Sequence, residues 1–288
     1  MTLTIKGLSQ EEIDRRAAMH PEELRRLIKQ REWEPDSTYS QFYSSGYIQT
    51  AVDIVPLDYA FEFLLFCIRN PRSSYVIDVC EPGSPHPLLL APDADVRTDC
   101  HKYRVYKYGE VIDEPSDIMK YWRDDLVAFF LNCSWGFEGV LRDRNVQFLY
   151  LAAFETNIPC VPAGRFRDCN LVVSTRSFPT SLDAVRAIQI TSQLPVSHGY
   201  PIHIGDPIEI GYDLRRPHSP KPGEIYYNPF HPDPPPLHPG EIYMSWACGD
   251  TTENAIKAAK VPLAITHHPA HVFVGDRRTE EFHSSFTT

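Results

Sequence analysis

Trp246-Ala247-Cys248-Gly249-Asp250-Thr251-Thr252-Glu253 reads as a strand that runs through glycine into the first turn of a helix. Asp250 has N-cap chemistry and Glu253, three residues on, completes a capping box for a helix over 250–260. Working outward, Ser181 to Gln193 has the spacing of an amphipathic helix, while Gln147 to Phe154 and Leu171 to Ser174 read as strands. Tyr103-Arg104-Val105-Tyr106 and Glu110-Val111-Ile112 flank Tyr108-Gly109 as a hairpin, and Ser74 to Val79 is a further strand. Tyr59 to Ile68 is apolar nearly all round, which predicts a helix inside the core. Residues 117–142 are expected to be helical in two pieces meeting near Asn132-Cys133-Ser134. Strands and helices alternate without βαβ regularity, so the expected class is mixed α/β, with mixed sheets, flanking helices and a cleft between two lobes.

The N-terminal residues 1–36 predict two short amphipathic helices, the first opened by the Ser9-x-x-Glu12 box. Residues 37–288 form the main domain, two intimately packed lobes with divisions expected near 95 and 180. Nine of the 23 residues from Pro217 to Pro239 are proline, so that stretch is read as a long loop.

The chain has 288 residues and a formal charge of −10, which repels phosphate backbones and anionic membranes. No nucleic-acid or membrane partner is expected; a small acidic metabolite is, and a homo-oligomer is compatible with the sequence. Seven scattered cysteines point to reduced thiols, hence to the cytoplasm. P-loop, G-x-G-x-x-G, G-x-S-x-G and C-x-x-C motifs are absent, which argues against nucleotide-dependent and α/β-hydrolase chemistry.

Nine of twelve histidines lie at or after His198. His198, His203 and Asp206 share a turn-rich segment, and His267, His268 and His271 another; imidazole with carboxylate serves either proton transfer or a divalent metal, for which His203, His267 and His271 are the candidate ligands. Pro269 between His267 and His271 rules out a zincin helix. Cys248 before the helix start is either an ordinary buried thiol or a nucleophile whose pKa the helix dipole lowers. The first-turn N–H groups at Gly249, Asp250 and Thr251 are a candidate anion site. Arg123, Asp124 and Asp125 at the head of an apolar helix either complement its dipole or supply a carboxylate clamp and a base. Glu138, in an aromatic context, is a candidate acid, and Asn157, in a turn after a strand, a candidate pocket residue.

Gly46-Tyr47-Ile48-Gln49, Asp58 to Pro71, Asp95 to Asp99, Trp122 to Asp125, Thr156 to Cys160, Gln189 to Ser192, His198 to Pro207, Trp246 to Gly249 and Ala264 to Val274 together resemble the D-glutamate cyclase family, whose bacterial members are labelled hydro-lyases. The resemblance spans roughly residues 40–276 and implies a two-lobed α/β fold and dehydration of D-glutamate to 5-oxo-D-proline. Thr50-Ala51-Val52 after Gln49, Cys133-Ser134-Trp135, and the long proline-rich loop depart from the family pattern, which bears on substrate preference. For lactam formation, the expected base is His198, His203 or His267, oriented by Asp124 or Asp206; a carboxylate clamp is expected at Arg123 or the helix start after Gly249, with Gln49 and Asn157 as further binding residues. A cofactor is left open, between none and a divalent metal. The alternatives are a hydro-lyase acting on another small carboxylic acid, and a non-catalytic binder of an acidic metabolite.

Overall fold

Tyr47–Pro56 (β1) is buried at nine of its ten positions, and the first sheet is built on it. The computed structural model describes residues 10–32, 43–213, 226–227 and 240–282. One edge of β1 pairs in unbroken register with Leu126–Asn132 (β5), which in turn carries Val76–Val79 (β2). The other edge is shared. Its N-terminal half pairs with Phe273–Arg278 (β12), and Asp53 and Ile54 pair with Ala264–His267 (β11). Beyond β11 lies the hairpin of Tyr103–Lys107 (β3) and Glu110–Asp113 (β4).

The second sheet runs His203–Ile204 (β8), Ile242–Ala247 (β10), Asn170–Phe178 (β7), Leu149–Pro159 (β6) and Tyr226–Tyr227 (β9). The mixed α/β class expected from the sequence is the class observed. Within it, the described pairings are antiparallel in both sheets, where mixed sheets were expected.

Leu57–Arg69 (α3) and Asp250–Ala258 (α6) pack on one face of the first sheet, and Trp135–Asp143 (α4) with Ser181–Thr191 (α5) on one face of the second. Phe166, at the tip of the β6–β7 hairpin, inserts against Phe63 of α3 with ring centroids 5.2 Å apart, and Phe63 meets Phe129 of β5 at 4.9 Å. All three rings are fully buried, and each such burial contributes about 1.5–3 kcal/mol, so the second sheet is anchored in the core of the first. The N-terminal helices Gln10–Ala17 (α1) and Pro21–Lys29 (α2) form as expected; Leu24 and Ile28 of α2 pack on Tyr43 and Val274. Ser9 and nearly all of the Pro217–Pro239 stretch lie outside the described residues.

Four local expectations are corrected. Residues 126–132 are a fully buried strand, not a helix: LVAFFLN is apolar on both faces because β5 is covered on both, and its continuous hydrophobicity carries no period. Arg123, Asp124 and Asp125 therefore precede a strand. Helix α3 buries only one side, Ala60, Phe63, Phe66 and Cys67, and leaves Phe61 and Ile68 exposed. Asn157 belongs to β6 and not to a turn. The N-cap of α6 is Gly249, with Asp250 its first helical residue.

Candidate active site

The change of partner along β1 opens a gap. Between Thr50, paired with Phe273, and Asp53, paired with Thr266, the chain joining β11 to β12 leaves the sheet. The imidazole of His267 fills the break, its Nδ1 lying 3.3 Å from the N–H and 3.4 Å from the carbonyl of Val52. Beside it, a cavity of about 40 Å³ lies between the two sheets, bounded by Ala51 and Asn132 of the first, by Tyr150 and Ser174 of the second, and by Ala270 and Val272 from the departing chain. That is about the room of one water molecule or one carboxyl group.

His198 enters this cavity from a strained turn. It follows a short 3₁₀ turn at Pro195–Ser197 and takes φ +70°, a left-handed conformation uncommon outside glycine and asparagine. Leu194 O accepts from the N–H groups of Ser197 and Gly199, and Gly199 O accepts from Trp246 Nε1 at 2.9 Å, so the turn is fixed from both sides. Gly136 on α4 lets it approach, since a Cβ there would sit 2.3 Å from Ser197 Oγ. His198 Nδ1 donates to the carbonyl of Arg72 at 2.8 Å, the same oxygen that accepts from Asn132 Nδ2 at 3.1 Å. The proton is thereby placed on Nδ1, and buried Nε2 keeps a lone pair with no partner among the described residues. Burial pushes the His198 pKa down to about 3, so the ring is neutral.

On the opposite wall, two serine hydroxyls stand in front of a fully buried arginine. Arg176 Nη1 donates to Ser174 Oγ at 2.6 Å and Nη2 to Ser134 Oγ at 2.9 Å, while Nε donates to Glu138 at 2.9 Å. Neither Arg176 nor Glu138 has any exposure, and the guanidinium lies about 5 Å from the rings of Phe137 and Tyr150. Each serine oxygen accepts from a cation, which polarises its O–H and leaves that proton to donate elsewhere. Ser134 and Ser174 both line the cavity.

The head of α6 adds Cys248, Gly249 and Asp250. Burial, reinforced by Glu253, raises the Asp250 carboxyl to about 6, so it exchanges a proton near neutrality. Of the two readings of Cys248, the pKa favours the ordinary thiol: burial, then the Asp250 carboxylate, drive it well above its usual value. With its proton held on sulfur, the half-buried Cys248 is poorly suited to act as a thiolate, and the helix dipole does not offset the shift. The anion site expected at the first turn is also modified, because the N–H groups of Thr251 and Thr252 already donate to Cys248 O and Gly249 O. Thr251 is buried and its hydroxyl faces Val172, away from the cavity. His267 is likewise neutral, held down to about 4 chiefly by burial.

Of the residues singled out by sequence, the fold brings together His198, His267, Cys248, Gly249 and Asp250. It places the others elsewhere. His203 Nε2 donates to the carbonyl of Asp206 at 3.2 Å, and Asp206 caps the next turn by accepting from Ile208 N–H; both belong to the β8 edge. Arg123 is exposed and pairs with Asp125 at 2.8 Å. It and Asp124 lie beyond the far end of β5 from Asn132, a strand that itself spans about 20 Å at 3.3 Å per residue. Asn157 is exposed and backs onto Gly211. Gln49 is buried two residues before Ala51, donating to Tyr43 O at 3.2 Å, and its Oε1 has no partner among the described residues.

The candidate metal ligands do not converge. His271 shares a hydrogen bond with His101 at 3.0 Å, His203 faces Asp206, and His267 faces Val52. Among the described residues no group of three His, Cys, Asp or Glu side chains is arranged to hold a metal ion. Glu138, read as an acid, is the partner of Arg176.

Ser134, Ser174, Arg176 and Asn132 escaped assignment by sequence. The signal available was Arg176 itself, a charge inside the apolar strand Asn170–Phe178 that must find a buried partner.

A sequence profile described as D-glutamate cyclase matches residues 127–276. That range contains every cavity-lining residue except Ala51. A Bacillus licheniformis protein named as a "putative hydro-lyase" is 42% identical, the match covering 92% of this chain and 97% of that protein. "Putative hydro-lyase YcsI" of Bacillus subtilis is 40% identical over 91% of this chain and 98% of its own length. The crystal structure of a nitrogen repressor-like protein from Methanococcus jannaschii aligns over 84% of this chain and 92% of its own, with a TM-score of 0.36 and 9% identity, too remote to inform fold or function. No helix among the described residues is long and apolar enough to cross a membrane.

Proposed function

The chain belongs to the D-glutamate cyclase family, and on the cavity between its sheets we propose that it is a hydro-lyase of that type, closing D-glutamate to 5-oxo-D-proline with loss of water. The observation that carries this reading is the pair of serine hydroxyls, Ser134 and Ser174, each accepting a hydrogen bond from buried Arg176 and each facing a space the size of a carboxyl group. A carboxylate resists attack by an amine until its charge is neutralised, and two polarised O–H donors in a site of low dielectric supply that.

Seated there, the substrate carboxylate acts on both titrating groups. As a like charge it raises Asp250 above about 6, so Asp250 keeps its proton; as an opposite charge it draws His198 up from about 3, so Nε2 becomes a better base. His198 Nε2 removes a proton from the substrate ammonium while Asp250 protonates the bound carboxylate, and the proton on His198 passes to Asp250, which restores both groups. The amine attacks the carboxyl carbon, His198 Nε2 takes the second proton from the attacking nitrogen, and Asp250 gives its proton to the hydroxyl, which leaves as water as the carbonyl re-forms. The proton on His198 returns to Asp250, which closes the cycle. Holding amine and carboxyl in a five-membered geometry contributes up to the roughly 7–11 kcal/mol available to oriented intramolecular reactions.

Proton NMR of the purified chain incubated separately with D-glutamate, L-glutamate and 5-oxoproline, after EDTA treatment and with added Mn²⁺, tests the proposal. Formation of 5-oxo-D-proline from the D-isomer alone supports it, and the two treatments report whether metal takes part. No lactam under either treatment, with dehydration of a hydroxy acid instead, would replace it with another hydro-lyase activity.

A further inference from the structure

Away from this cavity, Cys160 and Cys169 face each other across the β6–β7 hairpin. Pro159 pairs with Asn170, Cys160 N–H donates to Cys169 O at 3.0 Å, and Ala163 and Phe166 close the tip. A hydrogen-bonded antiparallel pair sets its Cα atoms about 5.5 Å apart, inside the roughly 4.4–6.8 Å that a disulfide spans. Both cysteines are free thiols. The hairpin is held in place from outside: Asn70 donates to Val161 O and accepts from Val161 N–H, both at 2.9 Å, Arg69 donates to Pro162 O at 2.6 Å, and Arg165 pairs with Glu62. The two cysteines therefore stand on facing positions of an anchored hairpin, within the backbone separation a disulfide spans.

They also open onto a cavity of about 510 Å³, the size of a small-molecule site. Its wall carries the guanidinium groups of Arg69 and Arg167 against the single carboxylate of Asp168, a local excess of positive charge on a chain of net charge −10. That balance selects an anionic ligand.

We propose that Cys160 and Cys169 form a reversible dithiol–disulfide site, oxidised by a low-molecular-weight disulfide that bears carboxylates and binds in this cavity against Arg69 and Arg167. The Cys169 thiolate attacks one sulfur of the small disulfide; its S–S bond breaks, and the released thiolate takes up the proton Cys169 gave up. Cys160 then loses its proton and attacks the mixed disulfide at Cys169 Sγ, releasing the second small thiol, which takes that proton. Two protein thiols are oxidised by two electrons and one small disulfide is reduced to two thiols. The neighbouring thiols favour this order, each acting chiefly on the other to hold Cys169 below its usual range and push Cys160 up.

The full chain is incubated with oxidised glutathione or with neutral hydroxyethyl disulfide, quenched by alkylation, and mapped by mass spectrometry after cleavage at Arg165 and Arg167, which separates the two cysteines. The expected product is a peptide pair cross-linked through Cys160 and Cys169, formed faster than modification of the other five thiols. Cys160→Ser is expected to retain one glutathionyl group on Cys169, and Arg69→Gln with Arg167→Gln, which remove the charges but keep N–H donors for Pro162 O and Gly164 O, to slow glutathione several-fold while leaving hydroxyethyl disulfide unchanged. Free thiols at both positions in the wild type, or modification spread evenly over all cysteines, would overturn the site. An equal effect of the arginine substitutions on both reagents would overturn the anionic ligand. Circular dichroism of each variant separates these outcomes from misfolding.

Discussion

Glu138→Gln removes the carboxylate that pairs with the buried Arg176 guanidinium and leaves the arginine's shape and serine contacts in place. Both side chains are wholly buried, so the guanidinium gains no water when its counter-ion goes. Breaking a buried pair from one side costs about 3–5 kcal/mol, because an uncompensated charge stays in a low-dielectric interior. For a chain of this size that corresponds to a fall in melting temperature of roughly 6–20 °C. The informative comparison is the double variant Glu138→Leu with Arg176→Met, which replaces both charges with apolar groups of similar length. It is expected to lose less stability than Glu138→Gln alone, since no charge is left buried. It also loses the polarisation of Ser134 and Ser174, and so the activity. Thermal and urea denaturation of the wild type and both variants measure the stabilities. A Glu138→Gln protein within about 0.5 kcal/mol of wild type, or a double variant markedly worse than the single, would refute the description of this pair as a charge that needs its partner.

Since Asp250 must be protonated and its carboxyl lies at about 6, kcat/KM is expected to fall as pH rises through about 6, whereas kcat falls at higher pH, because the bound carboxylate raises Asp250 further; Asp250→Asn should abolish that limb together with most of the rate, and a kcat/KM that rises through pH 6 would contradict the assignment. Asp53 is 1% exposed and burial lifts it to about 8, against an unfolded value near 4. The folded state therefore holds a proton that the unfolded state has lost, and this group's contribution to stability is complete below about pH 4 and declines until the folded value near 8 is passed. At pH 7 the loss is on the order of 4 kcal/mol; Asp53→Asn, which keeps the hydrogen bond from Thr252 at 2.6 Å, should flatten urea-denaturation stability between pH 5 and 8, and an unchanged slope would argue against a raised Asp53.

The strand-through-glycine junction at 246–253, the β3–β4 hairpin, helices α3 and α5 and the two N-terminal helices were legible because each carries a local signal: a period, a cap or a turn residue. Strand β5 was not, since burial on both faces erases the alternation that marks a strand. The site was half legible for a related reason. Histidine, cysteine and aspartate announce chemistry by residue type, so His198, His267, Cys248 and Asp250 were found. What they do depends on neighbours distant in sequence: Arg72 O fixes the His198 tautomer across 126 residues, and Arg176 is coupled to Ser134 across 42. The His203–Asp206 pair looked equally chemical, but it lies at the β8 edge and neither residue lines the cavity. A serine in front of a buried arginine has no sequence signature, because its function comes from the charge behind it.

The central claim is that His198 Nε2, unprotonated and aimed into the cavity between the sheets, takes the substrate's proton. His198→Asn tests it most directly: asparagine tolerates the left-handed backbone at this position, so the turn survives while the base is lost. Initial rates of 5-oxo-D-proline formation from D-glutamate, followed by proton NMR on wild type and variant at matched thermal stability, are predicted to differ by about 10²–10⁴-fold. A correctly folded variant that keeps the wild-type rate would contradict the account.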